Sequence, residues 1–372
     1  MDTILLYLFY VFIFFIAVNS SYYLVFLKFA FSKEKLPTTP DAKKGVSVII
    51  CSKNEARNLE QYLPLWLEQD YPKLEFVLID DASHDETAAV IKAFAKADTR
   101  IIPVYVENNE AFWGSKKYAL TLGIKKAKYE HLLFSDADCY PKSNTWVNTM
   151  AAKFVADKQL VLGYGGYRRI KGSFLNMLIR YETVLTAIQY LGYAVVGRPY
   201  MGVGRNLGYT KSLFFEQRGF MGHMQVVSGD DDLFVNQAAT AKNTVICTLT
   251  EAHTLSEPKQ TWASWFRQKR RHVTTASHYK KVDQFLLGLF YISQLLIFLL
   301  AIVLFIVLFK WTWVLGALVL RYLCIGVALG GGIRKLDEKG LMPLFPVLEL
   351  FLICTQLSIF SANLISKPNR WK

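Results

Sequence analysis

Two kinds of hydrophobic pattern divide the chain. Residues 4–27 form one uncharged apolar run, and three more blocks follow at 285–309, 311–332 and 341–365. A helix rising about 1.5 Å per residue crosses a hydrocarbon core of about 30 Å in roughly 20 residues, so each block is a candidate membrane span. Arg321 interrupts the second C-terminal block and Glu349 the third, which makes these two weaker candidates. Between the apolar ends the pattern shortens. VSVIIC (46–51), FVLID (76–80), IIPVYV (101–106) and HLLF (131–134) read as strands, with helical periodicity over 54–69, 86–97 and 116–127. Asn54 is placed to cap the first of these helices, and Ser83 with Glu86 forms a capping-box pattern for the second. Strict alternation of strand and helix predicts an α/β fold, a mostly parallel sheet with helices on both faces. Ligands of such sheets bind beyond the carboxyl ends of the strands.

These segments predict a transmembrane anchor at 1–31, a linker at 32–45 and a catalytic α/β domain at 46–260. A basic and aromatic interfacial segment follows at 261–283, then a C-terminal membrane region at 284–372 with two or three transmembrane helices. Asp2 at the start and the length of the first run argue against a cleaved signal peptide. In a four-span scheme Lys28, Lys33, Lys35, the basic run 267–281, Arg334, Lys335 and Lys339 all fall on one side. The positive-inside rule makes that side cytoplasmic, so the expectation is an integral membrane protein with residues 32–280 in the cytoplasm. Lys367, Arg370 and Lys372 then fall on the other side, which leaves the last block either a span or a re-entrant or interfacial segment.

The net charge of +13 comes without a groove-reading or base-stacking motif, so the expected partners are membrane lipids and an anionic substrate, with no nucleic acid. The five cysteines make no CxxC pair, which indicates neither a zinc site nor a disulfide framework and suits a reducing compartment. No GxGxxG or GxxxxGK[ST] follows the first strand, which removes the main support for dinucleotide or P-loop binding.

Carboxylates collect where the strands end. Glu55 follows the first strand, Asp80 and Asp81 close the second, and Asp136 and Asp138 follow HLLF. Two carboxylates at i and i+2 can reach one divalent cation with the hard oxygens that suit Mg²⁺ or Mn²⁺, and so neutralise a diphosphate; the same pair can also simply cap a turn. Asp81 can accept from a base N–H, Glu55 can hold a nucleoside, and Lys116 at a helix start can meet a phosphate or the nucleoside. In SGDDDLFVNQ (228–237) three stacked aspartates repel one another, which raises the proton affinity of one and suits a general base. TWASWFRQKRRH (261–272) reads as an amphipathic interfacial helix, some of whose cations can face a pyrophosphate.

Taken in order, VSVIICSKNEARNL, LIDDASHDET, GSKKYAL, FSDADC, SGDDDLF and QKRRH resemble an inverting family 2 glycosyltransferase with the GT-A fold, over roughly residues 44–275. The flanking spans resemble those of membrane-bound members such as ceramide glucosyltransferase and bacterial synthases that use lipid or polysaccharide acceptors. The resemblance implies that Glu55, Asp81 and Lys116 bind the nucleotide sugar, with Asp136 on its ribose or sugar-phosphate and Asp138 on the metal, Mg²⁺ or Mn²⁺. Asp230 or its neighbour Asp231 would be the catalytic base; Gln268, Arg271 and His272 would lie on the diphosphate and acceptor side, and Asn206 in an acceptor-side segment. Two positions depart from the family pattern: Gly229 replaces the glutamate before the base, and His272 the tryptophan after Arg271. The expected activity is transfer from a nucleotide sugar, a UDP-sugar foremost, to a lipid-linked or polysaccharide acceptor. A metal-dependent nucleotidyltransferase and a catalytically inactive scaffold of the same fold are the alternatives.

Overall fold

A computed structural model describes residues 2–34, 44–107, 116–226 and 228–366. Most of the expected linker, Lys35, the start of GSKKYAL and the tail cations 367, 370 and 372 lie outside the described residues. Helix α1 (Asp2–Phe31) leads into β1 (Val46–Ser52), α2 (Ala56–Leu67), β2 (Leu74–Asp81), α3 (Thr87–Ala97), β3 (Ile101–Val106), α4 (Lys116–Lys126) and β4 (His131–Asp136). The β-branched runs form these strands because both faces of the sheet are covered: every residue of β2 is buried. Then come β5 (Cys139–Pro141), α5 (Trp146–Ala151), β6 (Leu160–Gly163), β7 (Gly165–Tyr167), α6 (Phe174–Val195), β8 (Leu207–Thr210), α7 (Lys211–Glu216), α8 (Asp232–Ala238), β9 (Thr244–Cys247) and β10 (Thr254–Ser256). Helices α9 (Trp262–Val273), α10 (Lys281–Ile306), α11 (Trp311–Lys335) and α12 (Phe345–Ile365) complete the chain.

Seven strands form the main sheet in the order β3-β2-β1-β4-β8-β6-β9. The first four are parallel, and β8 is antiparallel to both β4 and β6. Register decides where the carboxylates fall. Ser52 stands opposite Asp80, and Cys51 opposite Asp136, so the ends of three adjacent strands share one edge. A small second sheet, β5-β10-β7, lies just beyond it, with Cys139 paired to Ser256.

Two local expectations are corrected. Asn54 does not cap α2: its backbone is left-handed (φ 55), and its amide oxygen accepts from the backbone N–H of His84 at 2.8 Å. Nor does the capping box form. Ser83 Oγ accepts from the Asn54 amide at 2.9 Å, and Asp85 takes the Thr87 amide at 3.1 Å. Both side chains tie the two loops at the strand ends to each other, a non-local use that outweighs helix capping.

Helix α6 was not foreseen. It is buried around most of its circumference, between the sheet and the apolar helices, so it shows no amphipathic period to read. Its Ile188 would collide with a Cβ on Gly332 at 2.3 Å, and Ala30 of α1 with one on Gly331 at 2.7 Å; glycine there lets three helices meet closely. Arg180 of α6 pairs with Glu338, which follows α11, so a buried ion pair ties the apolar C-terminal helices to α6 and the sheet.

Four helices are long and apolar enough to cross a membrane: Asp2–Phe31, Lys281–Ile306, Trp311–Lys335 and Met342–Ile365. The two charges that interrupt the C-terminal blocks answer each other. Arg321 and Glu349 are buried and paired at 2.5 Å, with Asn19 Oδ1 accepting from Arg321 Nε at 2.8 Å and Gln294 donating to Glu349 at 3.1 Å. Removing one partner strands the other charge, so Glu349→Leu is expected to destabilise the protein by about 3–5 kcal/mol. The double change Arg321→Leu/Glu349→Leu should regain most of that, read as the thermal midpoint of the detergent-solubilised protein.

Candidate functional site

The site lies where β1, β2 and β4 end. Asp81 closes β2 and is 3% exposed, with Oδ2 3.7 Å from Lys53 Nζ, beyond hydrogen-bond length. Burial pushes its carboxyl pKa up, against the pull of Lys53. A buried carboxylate oxygen without a hydrogen bond is an acceptor in wait, which fits the N–H of a nucleobase. Losing one hydrogen bond to a charged group costs about 1.5–3 kcal/mol, so Asp81→Ala is expected to weaken nucleotide binding by about tenfold or more in a direct titration.

At the end of β4, the Asp136 carboxylate receives Lys116 Nζ at 2.8 Å. The same ammonium lies 3.0 Å from Asp230 Oδ2, so Lys116 bridges the end of a strand and the turn before α8. Burial alone would lower the Lys116 pKa; Asp136 and Asp230 hold it well above the usual value. Against the upward push of burial, Lys116 and then Arg205 and Arg271 keep Asp136 below the usual carboxylate range. Asp138 goes the other way, raised by burial and then by Asp136 and Glu55. The neighbouring lysine does a different task. Lys117 Nζ donates to the carbonyls of His223, Val226 and Ser228 at 2.6, 2.8 and 2.8 Å, fixing the segment that leads to the three aspartates.

Asp136, Asp138 and Cys139 bring three ligating atoms within 4.8 Å of one another. Burial and the two aspartates push the Cys139 thiol well above its ordinary pKa, and it lies 2.9 Å from Ser256 Oγ. A protonated thiol is a poor ligand, so the donor set that fits is the carboxylate pair, hard oxygen suited to Mg²⁺ or Mn²⁺.

The three consecutive aspartates are divided by geometry. Asp230 alone meets Lys116. Asp231 accepts from the backbone amides of Gly204 at 2.6 Å and Asp232 at 2.8 Å, as the cap of α8; burial, then Asp230 and Asp232, raise its pKa to about 7. Asp232 is buried and accepts from Thr275 at 2.5 Å and Tyr279 at 2.6 Å, pinning α8 to the segment ahead of α10. Gly229 has φ +92, a backbone that a glutamate adopts only with strain, and a Cβ there would meet Leu233 at 2.5 Å. The departure from the family pattern therefore has a local steric reason.

Other expected residues are distributed unevenly. The Glu55 carboxylate accepts from Asn58 and adds to the negative charge felt by Asp138. Gln268, Arg271 and His272 lie on α9; Arg271 faces Asp230, Asp136 and Asp231, Gln268 is half-buried and His272 exposed. Asn206 is not brought to the open edge. It is 0% exposed, and its Nδ2 donates to the carbonyls of Tyr164 and Ala252 at 2.8 and 2.6 Å, stitching β6 to the chain before β10. The adjacent Arg205 was missed. Its guanidinium stacks on Tyr167 at 4.4 Å and stands in the field of Asp136 and Asp138. A lone cation between glycines Gly204 and Gly208, just ahead of a strand, was the available signal.

Residues 47–227 match the glycosyl transferase family 2 model. The chain carries a family 2 glycosyltransferase domain. Among curated relatives, a poly-beta-1,6-N-acetyl-D-glucosamine synthase of Staphylococcus aureus is 31% identical over 176 residues, which is 46% of this chain and 41% of that protein. Glycosyltransferase GlyG of Streptococcus pneumoniae is 28% identical over 35% of this chain and 42% of its own length. The matches thus span less than half of these two relatives. A solved mannosyltransferase from Pyrobaculum calidifontis, in complex with GDP-Man and Mn²⁺, aligns over 93% of this chain and 97% of its own with a TM-score of 0.57 at 18% identity. That likeness establishes the fold, GT-A, for this family 2 domain.

Proposed function

We propose that the protein is a membrane-bound, metal-dependent inverting glycosyltransferase that moves a sugar from a nucleotide sugar to a lipid-linked or glycan acceptor on the cytoplasmic face. Residues 46–260 form its catalytic unit, 261–283 the link to the bilayer, and 1–31 with 284–372 its membrane part. One observation carries the reading: Asp136 and Asp138 at the end of β4 and Asp230 ahead of α8 come to one edge from two distant segments, with Lys116 bridging Asp136 and Asp230. A solved neighbour of the same fold holds a nucleotide sugar and Mn²⁺.

In this reading Asp81 receives the N–H of the base, and Arg271 with Lys116 faces the diphosphate, where negative charge grows as the glycosidic bond breaks. Asp136 and Asp138 would hold a divalent cation, which when bound would supply further neutralisation of the leaving nucleoside diphosphate. Lys116, drawn to the diphosphate, gives up Asp230. The freed carboxylate takes the proton of the acceptor hydroxyl, whose oxygen attacks the sugar carbon from the side opposite the leaving group and inverts it.

The test is incubation of membranes containing the protein with a panel of nucleotide sugars and Mg²⁺ or Mn²⁺, with mass analysis of lipid and glycan products. Release of a nucleoside diphosphate with a glycosylated product is expected. Release of pyrophosphate identifies a nucleotidyltransferase, and failure to bind any donor identifies an inactive scaffold.

A further inference from the structure

We propose that α12 does not cross the membrane: it is a re-entrant helix that returns to the catalytic side and lays its free apolar face against the acyl chains of that leaflet. Its direction follows from the order of its contacts. Helix α10 leaves the catalytic domain at its N-terminus, where Asn236 of α8 donates to Asp283 at 2.9 Å, and runs away from it. Helix α11 returns, since Lys335 at its end reaches the carbonyls of Phe29 and Ser32 at 3.1 and 2.7 Å, where α1 enters the domain. A crossing helix that starts there would run parallel to α10 and meet progressively later residues of it.

The observed order is the reverse. Glu349 meets Gln294 at 3.1 Å, the Ile353 carbonyl faces the Tyr291 hydroxyl at 3.4 Å, and the Phe360 ring packs on Tyr291 with centroids 5.1 Å apart. Asn363 then reaches Arg270, which precedes α10 altogether. That last contact is reciprocal: Arg270 Nε donates to Asn363 Oδ1 at 2.8 Å, and Asn363 Nδ2 donates to the Arg270 carbonyl at 3.0 Å. Arg270 also donates to the Ala362 carbonyl at 3.1 Å and bonds Ser366, so a guanidinium closes the negative end of α12. The next residue, Arg271, faces Asp230 and Asp136, which puts the end of α12 beside the aspartate edge. Earlier in α12, Phe351 packs on Phe174 at the start of α6, again on the domain side, at 5.0 Å. The far end of the bundle, where Lys310 stands over the Phe9 ring at 5.4 Å, lies the other way.

The occupant of the free face is argued from continuity and charge. Val347, Leu350, Leu357 and Leu364 are exposed by 45, 45, 46 and 89%, an apolar surface continuous in kind with the exposed Ile302 and Leu320 of the crossing helices. Lys280 and Lys281 are exposed where α10 begins, placed for anionic headgroups on the same side. The cations at 367, 370 and 372 follow Ser366 in the sequence. With three crossings they join the side of Lys28 and Lys33, and the far side keeps Lys310 against this cluster, as the positive-inside rule expects.

The experiment uses two full-length proteins, one with an epitope inserted at the exposed His84 and one with an epitope after Lys372, in sealed vesicles of each orientation. Access to both epitopes from the same face is expected; access to the C-terminal one from the opposite face overturns the proposal. A photo-crosslinking residue at Leu357 decides the occupant. A lipid adduct seen by mass is expected, and an adduct of water alone overturns the leaflet assignment. Both readings are independent of catalysis, so they stand or fall apart from the proposed transfer reaction.

Discussion

Asp230→Asn is expected to bind the nucleotide sugar as the unaltered protein does and to turn over at least about 10² times more slowly, the lower end of what a general base contributes. The argument rests on how three adjacent carboxylates are used. Both oxygens of Asp231 are committed to backbone amides, and Asp232 is held by two hydroxyls below the surface. Among the described residues Asp230 is paired with the flexible ammonium of Lys116 at 3.0 Å, which a diphosphate can draw off. Asparagine keeps the shape and removes the proton acceptor. Rapid-quench turnover at saturating donor, beside equilibrium donor binding, separates the two effects. Asp231→Asn, by contrast, should keep turnover within a few-fold and cost about 1 kcal/mol, because the amide retains only one of the two oxygens that accept from the Gly204 and Asp232 backbone. If Asp231→Asn alone loses turnover, the base is Asp231.

The same contrast has a pH signature. Asp231 is held at about 7 in the folded protein, while an unfolded aspartate titrates near 3.9. Between those values the folded state binds the extra proton, so stability from this group is full below about pH 4 and is lost as pH rises through about 7. The thermal midpoint of the protein is expected to fall over that window, and Asp231→Asn to flatten the fall.

The strand-helix alternation and the convergence of Asp81, Asp136 and Asp138 on one edge were readable because β-branched runs and helical periods are local patterns, and their alternation implies a parallel sheet whose strands all end on one edge. What failed was non-local. Asn54 and Ser83 look like helix caps, yet each bonds the neighbouring loop, about 30 residues away in the chain. Asn206 and Arg205 stand side by side, and only the direction of a strand end decides that the amide goes inward and the guanidinium toward the carboxylates. The three aspartates were indistinguishable as letters. Their separation depends on Gly204, Thr275 and Tyr279, residues that no spacing rule connects to them.

Asp138→Asn is expected to abolish transfer and with it the stimulation of nucleotide binding by Mn²⁺ or Mg²⁺. Asp136 already has a cation, Lys116, at 2.8 Å. Asp138 has none within ion-pair reach among the described residues, and burial with Asp136 and Glu55 nearby makes its charged form costly. A carboxylate in that position gains most from a divalent ion, whose charge would offset the repulsion from Asp136 and Glu55. An amide at the same place offers one neutral oxygen and no charge, so nucleotide should bind equally with and without metal. The binding should also depend on pH in the unaltered protein, weakening as acid protonates Asp138 in competition with the metal, and this dependence should vanish in Asp138→Asn. Calorimetric titration of nucleotide at two pH values, with and without Mn²⁺, reads both effects. Metal-stimulated binding that survives in the variant removes Asp138 from the metal site.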